Sequence, residues 1–259
     1  YLDLYTLRKV EHILYNTAGN CSDMFSVDNY SEAQDILMKC NDIMERTEAL
    51  MAEVPEDLQA AFYQLVYYPA MATPNVIKIQ IYAALNQKYA NKNLTLANKY
   101  RSLCEEAISF DQQIYDKYNN NMPGVGTKWQ GMQSAGQKYH IGMTGWQTDS
   151  GSLPSLKSVN ASGSPSLNVL VESITGTMGN VYTSGNATLP AFTNTNKEVY
   201  TIELANKASG SYNFTAEASA DWIVLSKTSG TVNVVDNILV SVDWDKVTSD
   251  QAGTVKVSD

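Results

Sequence analysis

Hydrophobic positions change their period once along the chain. Up to about residue 125 they recur at helical spacing. In "SVDNYSEAQDILMKCNDIMERT", Ala33, Ile36, Leu37, Cys40, Met44 and Thr47 share one face at about 3.6 residues per turn. In "VPEDLQAAFYQLVYYP", Pro55 suits a first helical turn and Glu56 and Asp57 complement its positive dipole end. Leu58, Ala61, Phe62, Leu65 and Val66 then form an apolar stripe. Pro69 and Pro74 are expected to punctuate this region, since proline lacks the donor a helix interior needs. A further helix carries Ile77, Ile81, Ala84 and Leu85 until "NKN" breaks it. Another carries Leu96, Tyr100, Leu103, Ala107, Phe110 and Ile114 and dissolves in "YNNNMPGVG". With residues 1–15 this predicts about five helices, best packed as an antiparallel bundle over 1–125.

Beyond residue 150 the period becomes two. Tyr200, Ile202 and Leu204 point one way, as do Tyr212, Phe214, Ala216 and Ala218, and Ile238, Val240, Val242 and Trp244. Short alternating runs divided by Gly, Ser and Asn predict an Ig-like antiparallel β-sandwich over 167–259, incomplete at its C-terminal end. Residues 151–166, "GSLPSLKSVNASGSPS", read as a connector. The fold class is therefore multidomain α+β.

Between the two halves lies "GTKWQGMQSAGQKYHIGMTGWQ", within residues 126–150. It holds Trp129, His140 and Trp146 among five glycines, and no acidic residue. One reading is a strap, bent at its glycines and pegged into grooves by Trp129 and Trp146. The other is that Lys128, His140 or Gln147 reaches a ligand.

Composition narrows the function classes. The 259 residues are 44% hydrophobic and 17% charged, which is globular. Lys and Arg number 18 against 27 Asp and Glu, a net charge of −9. So acidic a surface argues against nucleic acid, and no apolar run is long enough for a membrane span. The chain opens on "YLDLYTLRKVEHILY" without an initiator Met or signal-peptide pattern and closes in strand-like "AGTVKVSD". A fragment of a longer protein is expected.

Cys21, Cys40 and Cys104 form no CxxC and are odd in number, so buried free thiols are expected rather than disulfides or zinc. His12 and His140 lack partners at metal spacing, and no metal or cofactor is expected. "GVG" at 124–126 lacks the strand and third glycine of a dinucleotide loop. Glu45/Glu48 and Glu105/Glu106 read as solvated helix faces. Trp222 and Trp244 are read as sandwich core, with a sugar-stacking platform as the rival.

The segment "TKWQGMQSAGQKYHIGMTGWQ" resembles the G-K-W-x-x-M-M-x-Q-x-H-I-G-Y-T-x-W signature of glycoside hydrolase family 115. Those bacterial and fungal α-glucuronidases remove glucuronic acid, often 4-O-methylated, from xylan branches. Lys128 and Trp129 match K-W, Met132 the first Met, His140, Ile141 and Gly142 H-I-G, Thr144 the Thr and Trp146 the last Trp. Met143 stands where the family has Tyr, Gln133 where a second Met is common, and extra residues separate Met132 from His140. "DLQAAFYQLVYYPAMA" resembles the family's helical domain, and "LPAFTNTNKEVYTIELAN", "ASADWIVLSKTSGTV" and "ILVSVDWDKV" its later β domain.

The resemblance implies a catalytic (β/α)₈ barrel ahead of the helical domain. Nothing here alternates strand and helix that way. The expected function is thus an accessory region that buttresses a missing barrel, with no catalytic residue of its own. Its implied partners are that barrel, a second copy in a homodimer, and glucuronoxylan bound by the parent enzyme. Export to the periplasm, surface or medium is implied. The alternative is a non-catalytic cell-surface glycan-binding or adhesion protein.

Overall fold

The computed structural model describes residues 25–28, 32–126, 128–132, 155–172 and 181–259. Helices come first and antiparallel sheets follow, an α+β arrangement. The described residues gather in two compact units. One comprises residues 32–87 and 99–157 with the chain just before Asp28, and the other Asp28, 88–98 and 158–259.

Among the described residues of the first unit, α1 spans Glu32–Glu53. Glu32 and Asp35 sit at its positive end, and Ala33, Ile36, Cys40 and Thr47 form its buried seam. A 3-10 turn over Glu56–Leu58 leads into α2 (Gln59–Phe62), then into a π-helical turn over Tyr63–Tyr67. Helix α3 follows at once, over Tyr68–Asn91, and α4 spans Leu96–Asn120. The helix expected at 1–15 lies outside the described residues.

The expected punctuation by proline does not occur. The helical path is continuous from Glu56 to Asn91, so two predicted helices are one run. Just ahead of Pro69, the Tyr68 N–H donates to the Tyr63 carbonyl five residues back. That wider turn shifts the hydrogen-bond register where proline lacks a donor. Pro74 lies within α3, in a stretch whose neighbours Met71, Ala72, Thr73, Asn75, Val76 and Ile77 are all buried. A helix buried on all sides tolerates one lost bond because its apolar contacts outweigh it.

Helices α3 and α4 run antiparallel, since contacts pair rising with falling residue numbers. Asn75 Nδ2 donates to the Ala107 carbonyl at 2.8 Å, Cys104 Sγ to the Ile79 carbonyl at 3.4 Å, and Tyr63 Oη to the Ile114 carbonyl at 3.0 Å. Cys40 and Cys104 are buried thiols that form no disulfide, as expected. Cys21 lies outside the described residues.

In the second unit, α3 ends where "NKN" was expected to break it. Asn93 takes a left-handed φ of 56°, and the Leu94 and Asn93 N–H groups donate to the Tyr89 and Ala90 carbonyls. This is a C-terminal cap in which Asn replaces the usual Gly.

Seven strands follow: β1 Asn168–Val171, β2 Tyr200–Ala205, β3 Tyr212–Ala218, β4 Ile223–Leu225, β5 Ser229–Val232, β6 Val235–Val242 and β7 Val255–Ser258. They form one sheet of order β1-β2-β6-β4 and another of order β5-β3-β7, all pairs antiparallel. Inward residues of both sheets share one core: Val171, Ile202, Leu204, Tyr212, Phe214, Ala216, Val232, Ile238 and Val240. The predicted alternation therefore holds for β2, for β6 at Ile238 and Val240 but not for the half-buried Val242, and for β3 up to Ala216. Ala218 is exposed.

Trp244 does not continue the alternation. Strand β6 stops at Val242, and Asp243 caps a 3-10 turn over Trp244–Lys246 by accepting from the Asp245 N–H at 3.3 Å. A short acidic side chain that satisfies the next turn's donors ends a strand in this way. Trp222 precedes β4 in a turn, and both tryptophans are half-buried.

Candidate functional site

In the first unit, chemistry-bearing side chains gather around the π-helical turn. An α-helical register would place Tyr63 and Tyr67 one turn apart. Residues four apart lie on one face of a helix, and here the two rings stack with centroids 4.8 Å apart and planes 21° apart. Tyr68 and Tyr118 join at 4.9 Å. Lys117 holds its ammonium 4.8 Å from the Tyr63 ring centre and 5.8 Å from that of Tyr67. Tyr67 Oη donates to Glu48 Oε1 at 2.5 Å.

The chain after α4 returns to this cluster. Gly124 and Gly126 adopt φ of 77° and 64°, conformations a side chain disfavours, and Val125 and Gly126 donate back to the Met122 carbonyl. The tight turn brings Trp129 onto Tyr118 at 5.1 Å. So "MPGVG" is a turn that delivers the K-W pair. Trp129 is half-buried against the tyrosines, while Lys128 and Met132 are exposed. His140, Trp146 and Gln147 lie outside the described residues, so of the three substrate-proximal candidates the structure places Lys128 alone.

Burial raises the pKa of Tyr63, Tyr67 and Tyr68. Tyr67 is raised further by its bond to Glu48, and Tyr63 by the charges of Tyr67 and Glu48. The three phenols stay protonated at neutral pH and cannot act as bases. Burial likewise pushes the Cys104 thiol up to about 12, removing it as a nucleophile. What the cluster offers is a buried aromatic core with the Lys117 ammonium over two of its rings.

The second unit holds a buried polar group that alternation alone would have put in water. Glu203, on the face of β2 opposite the shared core, is 7% exposed. Tyr89 Oη donates to its Oε2 at 2.7 Å, and its Oε1 has no hydrogen-bond partner. Lys88, 6% exposed along its side chain, pairs with Asp28 at 3.2 Å and lies 5.0 Å from the Tyr89 ring centre. Glu172, just past β1, is also buried. Desolvation raises the pKa of both glutamates, partly countered for each by the charge of Lys88. Burial lowers that of Lys92.

Two asparagines that carried no signal in the sequence grip the connector. In the first unit, the Asn86 amide exchanges bonds with the Lys157 backbone at 2.8 and 2.9 Å. In the second, Asn98 does the same with Val159 at 2.9 and 2.8 Å. Each side-chain amide replaces one rung of a strand ladder.

Trp222 packs on backbone. A Cβ added at Gly253 would lie 2.9 Å from its ring carbons, so the tryptophan rests on a position that only glycine leaves open. Among the described residues, no three His, Cys, Asp or Glu gather to hold a metal ion, and no helix is long and apolar enough to cross a membrane. The chain matches no protein-family model and no curated protein.

Proposed function

We propose that the chain is an accessory, non-barrel region of a glycoside hydrolase similar to family 115, which removes (4-O-methyl-)glucuronic acid from xylan. In this reading the helices form an antiparallel bundle that buttresses a (β/α)₈ barrel of the parent protein. Residues 126–150 strap that contact, and the two sheets form an Ig-like sandwich that extends the platform. The parent enzyme is exported, acts on glucuronoxylan and pairs as a homodimer.

The observation that carries this reading is the placement of the K-W pair. Trp129 sits on Tyr118 while the neighbouring Lys128 stays in water. In this reading the segment resembling the family signature begins as a pegged strap, with Lys128 left for a ligand or a partner wall. Glycosidic hydrolysis needs two carboxyls at a set separation across a pocket, one with a raised pKa. Glu203 and Glu172 have the raised pKa, but both are buried away from solvent.

The test is twofold. The isolated chain incubated with glucuronoxylan or aldouronic acids should release no glucuronic acid above a buffer blank. The coding sequence upstream of Tyr1 should encode a barrel of several hundred residues. Turnover lost on mutating a carboxylate of this chain, or a signal peptide directly upstream, would sink the reading.

The half-burial of Trp222 and Trp244 favours a second reading, a non-catalytic cell-surface glycan-binding or adhesion protein. Glucuronoxylan titrated into the chain would quench tryptophan fluorescence under that reading, and Trp244→Ala would reduce the change.

A further inference from the structure

The helical run from Glu56 to Tyr67 is turned the opposite way from what its residue types would favour. It buries Tyr63 and Tyr67 and leaves its aliphatic stripe in water, with Leu58 54%, Leu65 73% and Val66 40% exposed. Tyrosine has a polar end that tolerates solvent, whereas leucine and valine gain about 1.5–3 kcal/mol each from full burial. Single exposed apolar residues are ordinary; three within nine positions of one helical run are a concentration of them.

The charge carried by this stretch of chain is one-sided, and the one cation described against it, Lys117, lies on the Tyr63 and Tyr67 rings rather than on the stripe. From Thr47 to Ile77 the chain has no Lys, Arg or His, but it has Glu48, Glu53, Glu56 and Asp57. Glu48 receives the Tyr67 hydroxyl. Glu53, Glu56 and Asp57 are exposed and lie within five residues of Leu58 in sequence. No ion pair among the described residues engages these three.

We propose that the stripe Leu58–Leu65–Val66, with the acidic edge Glu53, Glu56 and Asp57, is a docking face for a protein surface carrying an apolar ridge beside lysine or arginine. Charge selects this occupant. A second copy would add a face of the same acidic sign to a chain of net charge −9, and no basic edge to meet it. An anionic membrane is repelled for the same reason. A basic amphipathic ridge buries the leucines and neutralises the edge together. This goes beyond the α-glucuronidase reading and stands without it, because the occupant is defined by its surface chemistry alone.

The probe is a labelled helical peptide with leucines at i, i+3, i+4 and i+7 flanked by lysines, titrated with the full chain and followed by fluorescence anisotropy. A control peptide carries glutamates in place of the lysines. The lysine peptide should bind and the glutamate peptide should not. Leu65→Ser should weaken binding about tenfold, the scale of one lost leucine contact. The pair Glu56→Lys with Asp57→Lys should reverse the preference between peptides. All three positions are exposed, so circular dichroism of the variants should match the parent. Equal binding by parent and Leu65→Ser, or no lysine-peptide binding at all, would overturn the proposal. So would a dimer in sedimentation that Leu65→Ser dissolves, because the occupant would then be a second copy.

Discussion

Tyr89 donates its hydroxyl to Glu203 across a sequence separation of 114 residues, at 2.7 Å. Within the second unit this bond ties the last turn of α3 to β2. It satisfies one oxygen of a buried carboxylate whose other oxygen has no partner. Tyr89→Phe would leave both oxygens without donors and should cost about 1–3 kcal/mol. Chemical denaturation at neutral pH would measure it. An unchanged midpoint would mean that water reaches Glu203.

The same carboxyl gives a pH dependence of unusual sign. Burial raises the pKa of Glu203 and Glu172 above the ordinary 4.5. In the window between that value and the raised folded value, the folded state binds more protons than the unfolded state. Stability from these groups is therefore full below pH 4.5 or so and declines as pH rises through the folded pKa. Glu203→Gln keeps an acceptor for Tyr89 without the buried charge. The variant should gain stability relative to the parent as pH rises through this window. Parallel curves for the two proteins across the window would contradict the burial argument.

Trp129→Ala should cost about 1–3 kcal/mol, less than a fully buried tryptophan, because the ring is half-exposed and its main contact is Tyr118. Trp129→Phe should recover part of that loss by keeping an aromatic contact. Thermal melts of both variants would show it, and equal losses would refute a stacking role.

Gly230 faces Phe214 directly across the β3–β5 pair. A Cβ there would fall 2.7 Å from the Phe214 ring and 3.2 Å from Asp236 Oδ2. Phe214 is buried in the shared core and has little room to move. Gly230→Ala should therefore cost about 1–3 kcal/mol through overpacking. Pairing it with Phe214→Leu should relieve part of that cost, which a double-mutant cycle would read as coupling.

Cys104 should alkylate slowly in the folded protein at neutral pH, since its thiol is buried and its pKa is pushed up to about 12. Unfolding should restore ordinary reactivity. Mass spectrometry without reductant should find no bridge between Cys40 and Cys104.

The sequence by itself determined the order of elements and most of their inward faces. A period near 3.6 marked the seams of α1 and α4, and a period of two marked Ile202, Leu204, Phe214, Ile238 and Val240, because water sorts side chains by face in any regular element. The "NKN" break was legible because Asn tolerates the left-handed turn that Asn93 adopts.

The tertiary structure decided what local pattern leaves open. Pro69 and Pro74 lie inside a continuous helix because a π-turn shifts the register and burial outweighs a lost bond. Glu203, polar and on the outward phase of its strand, is buried because the end of α3 covers that face within the unit. The Leu58–Leu65 stripe was visible from spacing, but its direction was not. A helix presents the same periodicity whichever neighbour it meets, and the stacking of Tyr63, Tyr67, Tyr118 and Trp129 turned the aliphatic side out.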